Sequence, residues 1–143
     1  MKLTFHPLNF LAKSSTTDYS LRSAAAATCA ADEGKFFDYE HQLFVNQPQE
    51  GSEGLPDSKL LEFGKDYGKS FKKCVKDKKY FGWIEQVTDA ASEEGISSTP
   101  TIRLNGKEVE SKDFETSFQS ALDKAYPDDA KDKKDNKDKK NKD

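Results

Sequence analysis

Ile96-Ser97-Ser98-Thr99-Pro100-Thr101-Ile102-Arg103-Leu104-Asn105-Gly106-Lys107-Glu108-Val109 is the stretch that decides the fold. Asn105-Gly106 stands between two short β-prone runs, the strongest local signal for a tight hairpin. The strands read Thr101 to Leu104 and Lys107 to Glu110. Pro100 sits just ahead of the first of them, where its missing N–H costs no central ladder bond. A Thr-Pro bond joined so closely to a hairpin is also a place for a cis peptide, which X-Pro disfavours by only about 0.5–1 kcal/mol. Taken alone, the same residues also fit a plain turn that starts a strand.

Outward from the hairpin the chain reads as helices. Ser111 or Asp113 caps a last helix with Phe114, Phe118, Ala121, Leu122 and Ala125 on one side, stopped by Pro127. Upstream, about Lys78 to Glu94 presents Tyr80, Trp83, Ile84, Val87, Ala90 and Ala91 at helical spacing, and Gly95 ends it. Ser70 opens a short helix with Phe71, Cys74 and Val75. Pro56-Asp57-Ser58 opens another through Leu60, Leu61 and Phe63, expected to stop near Gly68. Gln47 to Gly54 is a loop of breakers. Lys35 to Asn46 carries Phe36, Phe37, Tyr39, Leu43 and Phe44 on a broad apolar face. Tyr19 to Asp32 contains Ala24-Ala25-Ala26-Ala27, the strongest helix former in the chain, with Gly34 as its stop. Lys2 to Phe5, with an extension toward Phe10, is expected to be a strand limited by Pro7.

Composition narrows the function classes. The chain has 143 residues, enough for one domain with a real core. Asp128 to Asp143 holds seven Lys and six Asp and no aromatic residue, and is expected to be a disordered, solvated tail. Residues 1–127 then carry a net charge of −4, with no basic face for nucleic acid. No run reaches the roughly 18 apolar residues of a membrane span, and Met1 to Pro7 has no apolar core of signal-peptide type.

Three segments in order resemble one family. Phe5-His6-Pro7-Leu8-Asn9-Phe10-Leu11, Ala30-Ala31-Asp32-Glu33-Gly34-Lys35-Phe36 and Thr99-Pro100-Thr101 with Asn105-Gly106 are similar to the DsbA-like branch of the thioredoxin fold, over about residues 1–125. The resemblance implies an α/β, thioredoxin-like fold with a helical insertion at about 18–95, here without its first βα unit. It implies one domain over 1–127 and the tail 128–143. It implies a cis bond at Thr99-Pro100 and a substrate backbone held against these two residues. It further implies protein or peptide substrates, an extracytoplasmic location and no cofactor. A missing βα unit would leave a gap in the sheet, to be filled by a strand-donating partner, by a homo-oligomer or by direct re-pairing of the strands.

The chemistry of that family is thiol–disulfide exchange, commonly at Cys-x-x-Cys. This sequence contains no such motif, so the reading is an oxidoreductase-related domain that is inactive as this chain. The alternative is a non-catalytic peptide-binding or scaffold module; whether the chain is an enzyme stays undecided. Cys29 and Cys74 are the only cysteines. They read as a redox pair, as buried free thiols or as a structural disulfide. The extracytoplasmic resemblance favours the disulfide. His6 and His41 would complete a four-ligand metal set with them, but no pair has zinc-ligand spacing, so no metal site is expected.

Overall fold

The computed structural model describes residues 2–127, arranged as two compact units divided after Gly95. The expected Lys/Asp tail lies outside the described residues. The first unit contains helices α1 (Tyr19–Asp32), α2 (Phe36–Val45), α3 (Asp57–Phe63), α4 (Lys69–Lys76) and α5 (Phe81–Glu93). The second contains strands β1 (Ile102–Leu104) and β2 (Lys107–Val109) and helix α6 (Phe114–Ala125).

Helix α1 is the axis of the first unit because its surface is mostly methyl groups. Ala24 to Ala27 and Ala30 are all buried, on more than one face. Such small side chains let other helices approach closely on several sides. One cluster joins Ala26, Ala27, Cys29 and Ala30 to Tyr39 of α2 and to Phe71 and Cys74 of α4. Another joins Leu21, Ala24 and Ala25 to Ile84 of α5. The end of α1 is a Schellman turn. Gly34 takes a φ of +69°, its N–H reaches Ala31 O at 2.9 Å, and Lys35 N–H reaches Ala30 O at 2.8 Å.

The start of α1 is held by a side chain that sequence reading missed. Asp18, the residue before the helix, makes no side-chain cap bond. Arg22 does the anchoring instead. Its guanidinium donates to Thr17 O (2.7 Å), Thr17 Oγ1 (2.8 Å), Leu55 O (3.0 Å) and Asp57 Oδ1 (2.6 Å). One planar fork thus ties the α2–α3 loop and the first turn of α3 to α1. Arg22→Met is expected to cost about 2–3 kcal/mol in urea unfolding, because it strands several carbonyls at once. A cost within 0.5 kcal/mol, typical of a surface substitution, would contradict the anchoring role.

Two expectations are corrected here. Lys2 to Phe10 forms no strand. A strand needs a ladder partner, and among the described residues β1 and β2 pair only with each other. The segment instead packs by its side chains. The Phe5 ring meets Phe36 at 5.6 Å and Phe37 at 5.0 Å, while Asn9 N–H reaches Thr88 Oγ1 at 3.1 Å. Helix α3 stops at Phe63 rather than near Gly68, with Gly64 as its C-cap. Gly64 also passes close to the Phe71 ring, which a Cβ there would meet at 2.2 Å.

The hairpin forms as read, one residue shorter at each outer end. Ile102 pairs with Val109, Arg103 with Glu108 and Leu104 with Lys107. Asn105 and Gly106 both take positive φ, at 52° and 80°, as a two-residue turn of this hand requires.

Candidate functional site

Two features carry the chemistry, one in each unit. In the second unit, Ser97 to Thr101 forms the loop that feeds β1. The Thr99–Pro100 peptide is cis, and both residues are exposed. Thr101 Oγ1 donates to Ser98 O at 2.8 Å, closing the loop across the proline. The backbone of residues 98–100 therefore stands on the surface at the mouth of the hairpin.

In the first unit, Cys29 and Cys74 are joined by a disulfide, with Cα atoms 5.8 Å apart across 45 positions of sequence. Cys29 lies within α1 and Cys74 in the last turn of α4. The bridge lies against Tyr39 and Phe71 in the buried cluster. Cys29 is 1% exposed and Cys74 8%, so both are buried and Cys74, on α4, is the less covered residue of the pair.

Polar ties flank the bridge and join the same elements. Ser70 Oγ donates to Glu33 Oε1 at 2.5 Å. Asp32, at the end of α1, accepts from Lys79 Nζ (2.7 Å) and Tyr80 OH (2.7 Å). Lys79 N–H also reaches Cys74 O at 3.1 Å. The hydrogen bond from Lys79, and then that from Tyr80, hold the Asp32 carboxyl below its ordinary value of 3.8. A carboxyl lowered in the folded state stabilises it above the unfolded pKa, and that share is lost as pH falls through the folded pKa. Asp32 is open to solvent, so the effect is under about 1 kcal/mol. Asp32→Asn is therefore expected to lower the urea midpoint slightly at pH 7 and by less at pH 2. An equal deficit at both values would show that the carboxylate charge is irrelevant.

His6 and His41 are exposed, and no group of three or more metal-ligating side chains occurs among the described residues. No described helix is long and apolar enough to cross a membrane.

An exposed proline loop at a hairpin and a disulfide-linked helical unit define the class: a thioredoxin-type domain with inserted helices. The thioredoxin family model matches residues 2–124, and the chain belongs to that family, in its DsbA-like branch. A comparison with curated proteins finds no match. Among solved structures, the chain is similar to reduced DsbA from Mycobacterium tuberculosis. The TM-score is 0.60 at 33% identity, covering 73% of this chain and 55% of that one. Oxidised DsbA from the same organism gives 0.60 at 34% identity, with the same coverage. The reduced form of the disulfide bond oxidoreductase DsbG from M. tuberculosis gives 0.61 at 34% identity, covering 73% and 52%. The chain thus spans about half the length of these relatives.

The expectation of an inactive domain without a dithiol is corrected by these findings. The chain holds a formed Cys29–Cys74 disulfide and is similar to DsbA and DsbG, so the absence of Cys-x-x-Cys is not the absence of a dithiol pair. That expectation equated the missing Cys-x-x-Cys with a missing couple. Two sulfurs need to be adjacent in space, not in sequence, and the packing of α1 on α4 supplies that adjacency.

Proposed function

We propose that this chain performs thiol–disulfide exchange with polypeptides, as a DsbA-like oxidoreductase whose redox couple is Cys29–Cys74. The formed bridge carries the reading: with two cysteines in the sequence, exchange by this chain has one couple to use. An incoming thiolate attacks the sulfur of Cys74, the less covered residue of the pair, and displaces Cys29. Thr99 and Pro100 present backbone to the substrate chain, a role supported by their exposure beside the hairpin and by the family. Both units are taken as one domain, in line with a family match that crosses the division after Gly95. Among the described residues β1 and β2 pair only with each other, and a two-stranded sheet suits an added strand from a partner or a second copy. A persistent disulfide suits an oxidising, extracytoplasmic compartment.

Burial favours a second reading, in which the bridge is a structural staple that exchange does not touch. One experiment separates the two. The folded, oxidised chain is mixed with a reduced dithiol peptide, quenched in acid and mapped by mass spectrometry. The exchange reading expects oxidised peptide and free thiols at Cys29 and Cys74 in equal amounts. An intact bridge with reduced peptide assigns the staple role.

A further inference from the structure

Two helices of the first unit carry rows of opposite charge that the fold leaves outside. On α4, Lys69, Lys72 and Lys76 are exposed at i, i+3 and i+7, on the arc away from Phe71 and Cys74. On α5, Glu85, Asp89 and Glu93 are exposed at i, i+4 and i+8, on the arc away from Ile84 and Thr88. At 1.5 Å per residue the first row is about 10 Å long and the second about 12 Å. Among the described residues none of these six side chains makes an ion pair. Within one chain both rows face outward, because α4 and α5 each give their apolar side to α1. Phe71 and Cys74 join Cys29 and Ala30, and Ile84 joins Leu21, Ala24 and Ala25.

The exposed arc of α5 has two further marks of a contact surface. Gly82, in its first turn, is exposed and has open space where a Cβ would stand, so a second surface can come close to the backbone there. Trp83, at the margin of the same arc, is 40% exposed. Tryptophan is enriched among the residues that anchor protein interfaces.

We propose that the occupant of this surface is a second copy of the chain, with the lysine row of α4 on one copy lying against the acidic row of α5 on the other. Complementarity carries the argument: the two rows are opposite in sign, equal in number and matched in length. Both rows belong to one unit, so a two-fold axis can apply the contact twice. Helix α4 then meets α5 of the second copy while α5 meets its α4, which closes a dimer rather than an open chain. Charged surfaces of this kind steer encounter and fix register, and their contribution is sensitive to salt. The proposal does not depend on the exchange reading of Cys29–Cys74.

Sedimentation equilibrium of the oxidised 143-residue chain over a series of concentrations tests it. A monomer–dimer equilibrium is expected at about 0.1 M salt, with affinity falling at least about tenfold by about 1 M, as the Debye length shrinks from about 10 Å to about 3 Å. One variant reverses the α4 row (Lys69→Glu, Lys72→Glu, Lys76→Glu), and another reverses the α5 row (Glu85→Lys, Asp89→Lys, Glu93→Lys). Each, checked for native helix content and a closed bridge, is expected to be monomeric, because like charges then face each other. All six substitutions together restore opposite signs across the contact and the native net charge, and the dimer is expected to return. A structural role for either row would not give that return. A monomer at every concentration of the unaltered chain overturns the proposal and leaves the two rows to solvent or to a different partner. A dimer that survives either reversal also overturns it, by placing the interface elsewhere. So does a six-substitution variant that keeps native helix content and stays monomeric.

Discussion

Cys74→Ser is expected to lower the unfolding free energy by about 4 kcal/mol and to abolish exchange with dithiol peptides. The bridge closes a loop of 45 positions, and the chain-entropy relation for that length gives a value of this size. Cys29→Ser should cost about the same. The double substitution should cost no more than either single one, because the bridge is lost once. Urea unfolding at pH 7 reads all three variants, with linear extrapolation to water. Losses that add in the double variant would mean that each thiol is stabilising by its packing rather than through the bond.

Phe71→Ala is expected to cost about 3–5 kcal/mol, the range for removing a fully buried aromatic side chain. Phe71 has no exposed surface, and its ring lies 5.5 Å from that of Tyr39 and 5.4 Å from that of Tyr67. It also occupies the space that a Cβ on Gly64 would need. Gly64→Ala should therefore be destabilising in the native background and much less so once Phe71 is alanine. Thermodynamic coupling near zero between the two sites would contradict the close approach. Loss of Phe71 also opens the cluster around the bridge, so Cys29 and Cys74 should then react faster with added thiols. A lesser effect at the same cluster is predicted for Tyr39→Phe, which deprives the Leu60 carbonyl of a 2.8 Å hydrogen bond from a buried hydroxyl.

These effects converge on α1, and α1 was the most legible element in the sequence. Ala24 to Ala27 fixed its type by propensity, and Gly34 fixed its end by backbone conformation. The hairpin was equally legible, because Asn105-Gly106 is a local signal that needs no tertiary help. Reading failed where structure depends on distant partners. Lys2 to Phe5 has strand-like residues but no strand to pair with among those described. At the end of α3 the reading placed the stop near Gly68, whereas Gly64 is the C-cap and packs against Phe71, a contact the local order of residues does not reveal. Trp83 sits at a core-like spacing on α5, yet it is 40% exposed, because Ile84 and Thr88 take the buried face.

The site shows the same division. The proline loop was visible in four consecutive residues. Pairing of Cys29 with Cys74 was favoured on the strength of a family resemblance, since nothing local connects two helical cysteines so far apart. A redox pair was one of three readings open for these cysteines, and no Cys-x-x-Cys spacing marked it. Arg22 gave no signal, since its partners are mostly backbone carbonyls of a loop whose path the sequence does not reveal.

The most direct test of the account is a redox titration of the native chain. The protein is equilibrated in dithiothreitol buffers of graded poise, acid-trapped for mass spectrometry of Cys29 and Cys74, and followed in parallel by far-ultraviolet circular dichroism. The account predicts that the bridge opens and recloses reversibly while the helical signal persists. Opening only where the helical signal has already collapsed would contradict it and leave Cys29–Cys74 as a structural staple.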